Sequence, residues 1–334
     1  MTCVDLWREQ RSSIMRDRLL QINALRQSAR AALSQRGLTE VVTPLSTLMP
    51  GGETHLEAVP VTLENRSGTR RRLYLRTSPE VWHKKLLAQG SGPIFELAPC
   101  LRNMEGGPWH DLEFEMLEWY RPGGTFEDLI GDVEALVAAA YRLTKRPPPT
   151  LHRCAVSELF ERFVGCELDP ECSASEFRSS LGEQGIACAE DDTWDDAFFR
   201  AWVSKVEPQL RGQGLVVVER YPASQATMAK LCPNDPRFCL RFEVYLEGLE
   251  LANAFDELTD GAEQRARFEA WQTERQRLGK EPFPADDAFF EAVAQLPPTV
   301  GIALGLDRLM ARAMGSTSLS ATRTFKLDAL LEHR

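Results

Sequence analysis

The sequence predicts an α+β fold, a mainly antiparallel β-sheet flanked by helices. Three observations lead there. Strand-like runs cluster at 94–98, 113–120, 214–219 and 240–255. Helical patterns stand before and after them, without the regular alternation that a doubly wound parallel sheet requires. Within 240–255, Glu247-Gly248 can close a two-residue hairpin, because glycine supplies positive φ.

Taken in order, residues 12–36 predict an amphipathic helix with Ile14, Leu19, Leu20, Ile22, Leu25 and Ala32 on one stripe and Gly37 as its stop. Residues 38–44 read as a short strand ended by Pro44, and 49–53 as a loop. Residues 73–77 alternate as a strand, and Pro79 opens a helix to Leu87. A Gly/Pro loop at 103–108 separates the strands 94–98 and 113–120. Thr125 and Asp128 form a capping pair for a helix over 125–145. The prolines 147–149 mark a linker-like break. Residues 151–213 read as mixed and mostly helical, an insertion in a single domain spanning 1–334. A helix follows at 261–278, then a strand at 301–305 and an apolar helix at 307–314.

Bulk properties narrow the function. The 334 residues carry a net charge of −10 and a pI near 5.2, which argues against a general polyanion-binding surface. The first ten residues are polar and charged, unlike a secretory signal, and no apolar run of about 18 residues predicts a membrane span. The eight cysteines show no Cys-x-x-Cys and the five histidines no zinc spacing. Reduced thiols in a cytoplasmic protein are expected.

Four constellations carry chemistry. Glu243, Glu250 and Glu257 recur at intervals of seven in an otherwise apolar segment. Carboxylates are rarely buried without partners, so cations are implied: metal ions, a substrate ammonium, or both. A hairpin about 247–248 pairs 246 with 249, 245 with 250 and 244 with 251. Glu243 and Glu250 are then diagonal neighbours roughly 7–8 Å apart, a spacing that suits magnesium-phosphate chemistry. A heptad stripe on a solvated helix gives the same interval, but Gly248 and the strand alternation count against it. Arg102, ending a strand and opening a Gly/Pro loop, can clasp an anion or be a surface arginine in a turn. In 301–308, Gly305 allows close backbone approach, and Arg308 can meet a phosphate or be a surface charge beside an Asp307 cap. In Thr77-Ser-Pro-Glu80, Glu80 can accept from an amine or simply complement a helix dipole.

The order and wording of these segments resemble a known family. Arg102-Asn, His110-x-x-Glu-Phe114, Met116-Leu-Glu-Trp-Tyr120, Gly248-Leu-Glu-Leu-Ala-Asn253 and Gly301-x-Ala-Leu-Gly-x-Asp-Arg308 are similar to the catalytic core of class II lysyl-tRNA synthetases. The likeness begins near residue 12, so an N-terminal anticodon-binding barrel is not expected. Ser78 and Ala303, with Tyr221-Pro-Ala-Ser-Gln225 and Phe242-Glu-Val-Tyr245, look closer to short synthetase-like paralogues that modify elongation factor P.

The resemblance implies a class II synthetase-like domain using ATP and Mg2+. It implies Arg102 and Arg308 as the catalytic arginines on the phosphates. Asn103, Met104, His110, Asp111, Phe114, Glu250, Leu251 and Gly305 would join them at ATP, with Phe114 stacking on adenine. Glu243 and Glu250 would hold the metal. Ser78, Pro79, Glu80, Glu118, Tyr120, Asn253, Glu257 and Ala303 would line the amino acid. Glu80 and Glu118 would receive its reactive-end amine, while Tyr120 and Glu257 would read its distal ammonium. The implied partners are (R)-β-lysine or lysine and elongation factor P, with no tRNA and no membrane, in a homodimer built by 12–36 and 40–44. Departures stand beside this. Met104 replaces a nucleotide-contacting glutamate that Glu105 can stand in for only if the loop shifts. Asp111 replaces an amide, Ala254 a glycine, and Asp256 a His or Ser. Ligation to another acceptor and an amino-acid-sensing paralogue therefore stay open.

Overall fold

Strand β6 (Glu113–Pro122) organises the first of two compact units in the computed structural model. Residues 13–51, 53–325, 327 and 331 are described, with side chains from residue 16 onward. The N-terminal stretch, the expected helix start at residue 12, Cys3 and His333 lie outside the described residues. Unit 1 comprises Met1–Pro148 and Thr259–Arg334; unit 2 comprises Pro149–Leu258.

In unit 1, β6 pairs antiparallel with β5 (Ile94–Leu101) on one side and β13 (Thr299–Gly305) on the other. β5 in turn pairs parallel with the short β1 (Thr39–Glu40). The predicted strand 38–44 is thus cut to two residues. Val41 still donates its N–H to Phe95, but Thr43 turns its N–H to the Glu96 carboxylate and Pro44 has none to give. A second sheet joins β2 (Ser46–Thr47), β4 (Arg70–Leu75) and β3 (Pro60–Glu64).

Alternation along β6 divides its residues between two faces. Leu117 and Trp119 are fully buried on one, with Phe95 and Leu97 of β5 beside them. Helices cover this face: α1 (Ser13–Gln35) packs on α3 (Phe126–Leu143), and α9 (Leu306–Ala313) packs on α3 and β6. Trp119 donates its indole N–H to the buried Asp132 of α3, which also takes a bidentate pair from Arg121. The predicted Thr125–Asp128 capping box starts α3. Phe114, Met116, Glu118 and Tyr120 line the other face, in register with Cys100, Ala98, Glu96 and Ile94 of β5. Helices α2 (Glu80–Ala88), α7 (Gly261–Arg277) and α8 (Asp287–Val293) complete this unit, α2 and α7 each packing on α8.

In unit 2 the strand order is β12-β11-β8-β7. β7 (Leu151–Ala155) lies parallel to β8 (Leu215–Glu219), so the stretch read as mostly helical opens with a strand. Its His152 and Arg153 are exposed, which blurred the alternation. Short helices α4 (Val156–Leu159), α5 (Ala174–Glu183) and α6 (Trp194–Ala201) follow, with π-helical turns after α4 and α6. They bury a stack of Phe160, Phe177, Trp194, Phe198 and Trp202. A small ribbon joins β9 (Leu231–Cys232) to β10 (Asp235–Cys239).

β11 (Arg241–Leu246) and β12 (Leu249–Asp256) form the predicted hairpin, and Glu247 and Gly248 at its tip both have positive φ. The expected register holds at 246–249 and 245–250 and then breaks. Val244 faces Ala252 instead of Leu251, because Leu251 is the extra residue of a β-bulge.

Candidate active site

Buried carboxylates dominate the second face of the unit 1 sheet, the one that carries Phe114 and Glu118. Glu118 is 1% exposed and stands opposite Glu96 of β5 and Ala303 of β13. Ser78 Oγ donates to its Oε2 at 2.7 Å, and Tyr120 OH donates to its Oε1 at 2.8 Å. The Ser78 oxygen in turn accepts the Glu80 N–H, so the strand-to-helix turn at Ser78-Pro79 is locked onto Glu118. Glu80 opens α2 and pairs at 2.7 Å with the fully buried Lys84 one turn on, so an internal ammonium already serves it. Burial pushes the Glu80 carboxyl up, Lys84 opposes this and Glu118 adds to it; the net shift is upward.

Two groups missed in the sequence belong here. His83 is fully buried between Glu96 and Glu118, with Nε2 at 3.0 Å from one and Nδ1 at 3.4 Å from the other. Arg76 holds the far side of Glu96 at 2.9 Å, and Thr43 Oγ1 donates to it at 2.6 Å. The missed signal was a carboxylate inside the apolar run 94–98, the same anomaly that singled out residue 243.

The end of this face near Phe114 is cationic. The Arg102 guanidinium sits 5.0 Å above the Phe114 ring, with Glu105 3.8 Å from its Nη1. The Asn103 N–H donates to the Glu57 carbonyl at 2.7 Å, pinning this loop to residues held by Arg275. Met104 adopts φ of 62° and is 84% exposed, so its side chain leaves the loop for solvent. Asp111 by contrast is buried. Arg308 in the first turn of α9 reaches the His110 ring through Nη2 and the Trp109 carbonyl through Nε. Desolvation and then the Arg308 charge hold the His110 imidazole below its ordinary value. A Cβ at Gly305 would stand 3.3 Å from Arg308 Cδ, so glycine there leaves the arginine its path.

Phe114 and Glu118 therefore lie on one strand face four residues apart, roughly 13 Å at the rise of an extended strand. Met116, with Ala98 and Cys100, makes an apolar floor between them, and Ala303 and Phe114 pack against it. The face thus carries an aromatic ring and a guanidinium at one end and a buried carboxylate at the other.

Unit 2 carries the remaining predicted residues on its hairpin. Glu243 is buried and accepts from Tyr221 OH and Tyr245 OH, each at 2.6 Å, and from Arg241. Glu250 stands opposite Tyr245, exposed, on the same face. The bulge brings Asn253 opposite Glu243, where its Oδ1 accepts from Arg241 Nε at 3.1 Å. Without it that place would fall to Ala252. Leu251 is buried, and Glu257, 1% exposed, follows the end of β12 beside a bridge to Ala229. Among the described residues no group of three or more acidic, histidine or cysteine side chains forms a metal cage. Carboxylates sharing a hairpin face are the oxygen donors that hard cations take, and here Arg241 and the two tyrosines already hold Glu243. Sequence reasoning named Tyr221 and Tyr245 only as parts of the resemblance and paired neither them nor Arg241 with Glu243.

Comparisons with known proteins concern the chain as a whole. A family model described as tRNA synthetases class II (D, K and N) matches residues 2–328. A protein of Erwinia tasmaniensis named elongation factor P–(R)-β-lysine ligase is 37% identical over 93% of this chain and 95% of its own. Proteins of the same name from Haemophilus influenzae (35%; 90% of this chain, 91% of its own) and Klebsiella pneumoniae (36%; 93% and 95%) are similar throughout.

Proposed function

The chain belongs to the class II tRNA synthetases of the D, K and N type, and on that premise we propose that it ligates a lysine-type amino acid to a protein. It is an ATP-dependent ligase that activates (R)-β-lysine, or lysine, and transfers it to a lysine side chain of elongation factor P. The likeness to relatives of that name over nine-tenths of both chains carries the reading. The strand face from Phe114 to Glu118 supports it, because an aminoacyl-adenylate has a flat base at one end and an ammonium at the other, which suit an aromatic ring beside an arginine and a carboxylate.

The amino-acid carboxylate attacks the α-phosphate of ATP, forming a P–O bond and releasing pyrophosphate. The acceptor amine then attacks the activated carbonyl, gives up a proton and expels AMP. Neither step requires a covalent enzyme nucleophile, so positioning and charge stabilisation do the catalysis.

Arg102 and Arg308 hold phosphate oxygens, one from each end of the polyphosphate. Phe114 stacks on the base, and Asn103, His110, Asp111, Leu251 and Gly305 complete the nucleotide contacts. Met104, turned to solvent, contributes backbone only. Magnesium, when bound, offsets phosphate charge; Glu243 and Glu250 would hold it. Glu118, with Glu80 beside it in its pair with Lys84, receives the reactive-end amine; Tyr120 and Glu257 read the distal ammonium; and Ser78, Pro79, Asn253 and Ala303 line the amino acid. The acceptor is a protein and not a tRNA. Among the described residues no helix is long and apolar enough to cross a membrane. With an elongation factor as acceptor, we place the reaction in the cytoplasm.

Incubation with ATP, Mg2+, (R)-β-lysine and elongation factor P, followed by intact-mass measurement, tests the proposal. One aminoacyl adduct on the factor is expected. Its absence, with pyrophosphate exchange intact, would redirect the ligation to another acceptor. Absence of both would overturn the proposal.

A further inference from the structure

We infer that His83 is a positioning residue: its imidazole, protonated on both nitrogens, ties Glu118 to Glu96 and so sets the carboxylate that receives the substrate's amine. The inference rests on the amine-binding role proposed for Glu118.

The argument is one of donors and acceptors. His83 lies on α2, fully buried, with its ring edge-on to Tyr120 at 5.5 Å, so its orientation is fixed. Nε2 faces Glu96 Oε2 and Nδ1 faces Glu118 Oε1. An ionised carboxylate only accepts, and a neutral imidazole has a single N–H. A neutral ring would therefore turn a lone pair toward one of the two carboxylates, out of reach of water. Glu96 cannot relieve this by taking up the proton. Burial raises its pKa, but His83, Thr43 and Arg76 outweigh burial and bring it down to about 2.

The charged groups around the ring are Glu80 and Lys84 on its own helix, Glu96 on β5, Glu118 on β6 and Arg76 just after β4. Glu96 and Glu118 are directly opposed across the β5–β6 pair, where two unscreened carboxylates would repel. Burial alone would lower the His83 pKa, yet Glu118 and Glu96 together raise it above the ordinary value. The Nδ1 contact at 3.4 Å is a charge approach, not a closed hydrogen bond. Glu118 Oε1 is thus shared between the His83 charge and the Tyr120 hydroxyl, while Ser78 holds Oε2. Oε2 thus keeps one accepting site for a further donor.

The doubly protonated state is lost as pH rises through the raised pKa, so the Michaelis constant for the amino acid should climb there. The test uses the full chain and pyrophosphate exchange across about pH 6–10, comparing wild type with His83→Gln and His83→Met. The substrate's own amines titrate in every sample, so the difference between enzymes isolates His83. Both variants should raise KM for (R)-β-lysine about tenfold, leave kcat and KM for ATP within about twofold, and lose the wild-type pH limb. In parallel, 15N NMR of the wild-type imidazoles should show one ring protonated on both nitrogens at neutral pH. A singly protonated His83, an unchanged pH limb in the variants, or kcat and both KM values moving together would overturn the inference. If the variants do not fold, the NMR measurement decides alone. Glu118→Gln separates the two levels of argument. An unchanged amino-acid KM there removes the amine-binding role and this inference with it. A raised KM there, with none in His83→Gln, removes this inference only.

Discussion

Arg308 Nη2 lies 2.7 Å from His110 Nε2. A guanidinium only donates, so the imidazole accepts there and carries its proton on Nδ1. The contact exists only while the ring is neutral, and the depressed His110 pKa keeps it so. A group whose folded pKa is lowered contributes fully above its unfolded value of about 6.5 and loses that contribution as pH falls. We expect KM for ATP to rise as pH drops below the ordinary histidine range, with the amino-acid KM less affected. His110→Gln should flatten this acidic limb and raise KM for ATP by about tenfold, or roughly 1.4 kcal/mol. An unchanged limb in the variant would assign it elsewhere.

Glu243 and Glu250 should separate under mutation. Glu250 is exposed on the hairpin, so Glu250→Gln should leave thermal stability nearly unchanged and raise the Mg2+ concentration needed for half-maximal exchange. Glu243 accepts from two tyrosines and an arginine in a buried setting. Glu243→Gln should raise the Mg2+ requirement too, but also cost about 1–3 kcal/mol of stability, read from a denaturant melt. Equal Mg2+ requirements in wild type and both variants would exclude them as ligands.

The hairpin tip tolerates no side chain at residue 248. Gly248 has φ of +75°, and a Cβ there would stand 2.6 Å from Arg211 Cγ and 3.0 Å from Arg211 N. Gly248→Ala should cost about 2 kcal/mol and lower the melting temperature. Retention of full stability would mean that the turn rearranges without loss.

Self-association is expected to involve α1 and the segment after β1. Val42 is 91% exposed, and Leu20 on α1 is 58% exposed. Light scattering at micromolar concentration should give a homodimer, and Val42→Glu with Leu20→Glu should shift it to monomer. A monomeric wild type would contradict this.

Element type was legible wherever periodicity was long: α3, α7, β6 and the β11–β12 hairpin fall close to the expected boundaries. The short strand at 38–44 was overextended because side-chain capture of a backbone N–H, as Glu96 captures Thr43, leaves no trace in a hydropathy pattern. β7 was missed because an edge strand with two exposed polar residues does not alternate visibly. In the site, residues recognisable by motif were named, while His83, Arg76 and Arg241 were not. Their roles come from pairing with carboxylates distant in sequence or on a neighbouring turn, and single-chain spacing does not display that pairing.

The bulge at Leu251 has a consequence for how this segment can vary. Glu250 and Asn253 are three positions apart, an odd interval that a regular strand sends to opposite sides. One unpaired residue makes the interval effectively even. Substituting Leu251 with another apolar residue changes only packing, whereas deleting it inverts the parity of everything after it. A one-residue insertion or deletion between Glu250 and Asn253 is therefore a more severe change than most substitutions there, and the length of that interval is as much a part of the chemistry as the residues at its ends.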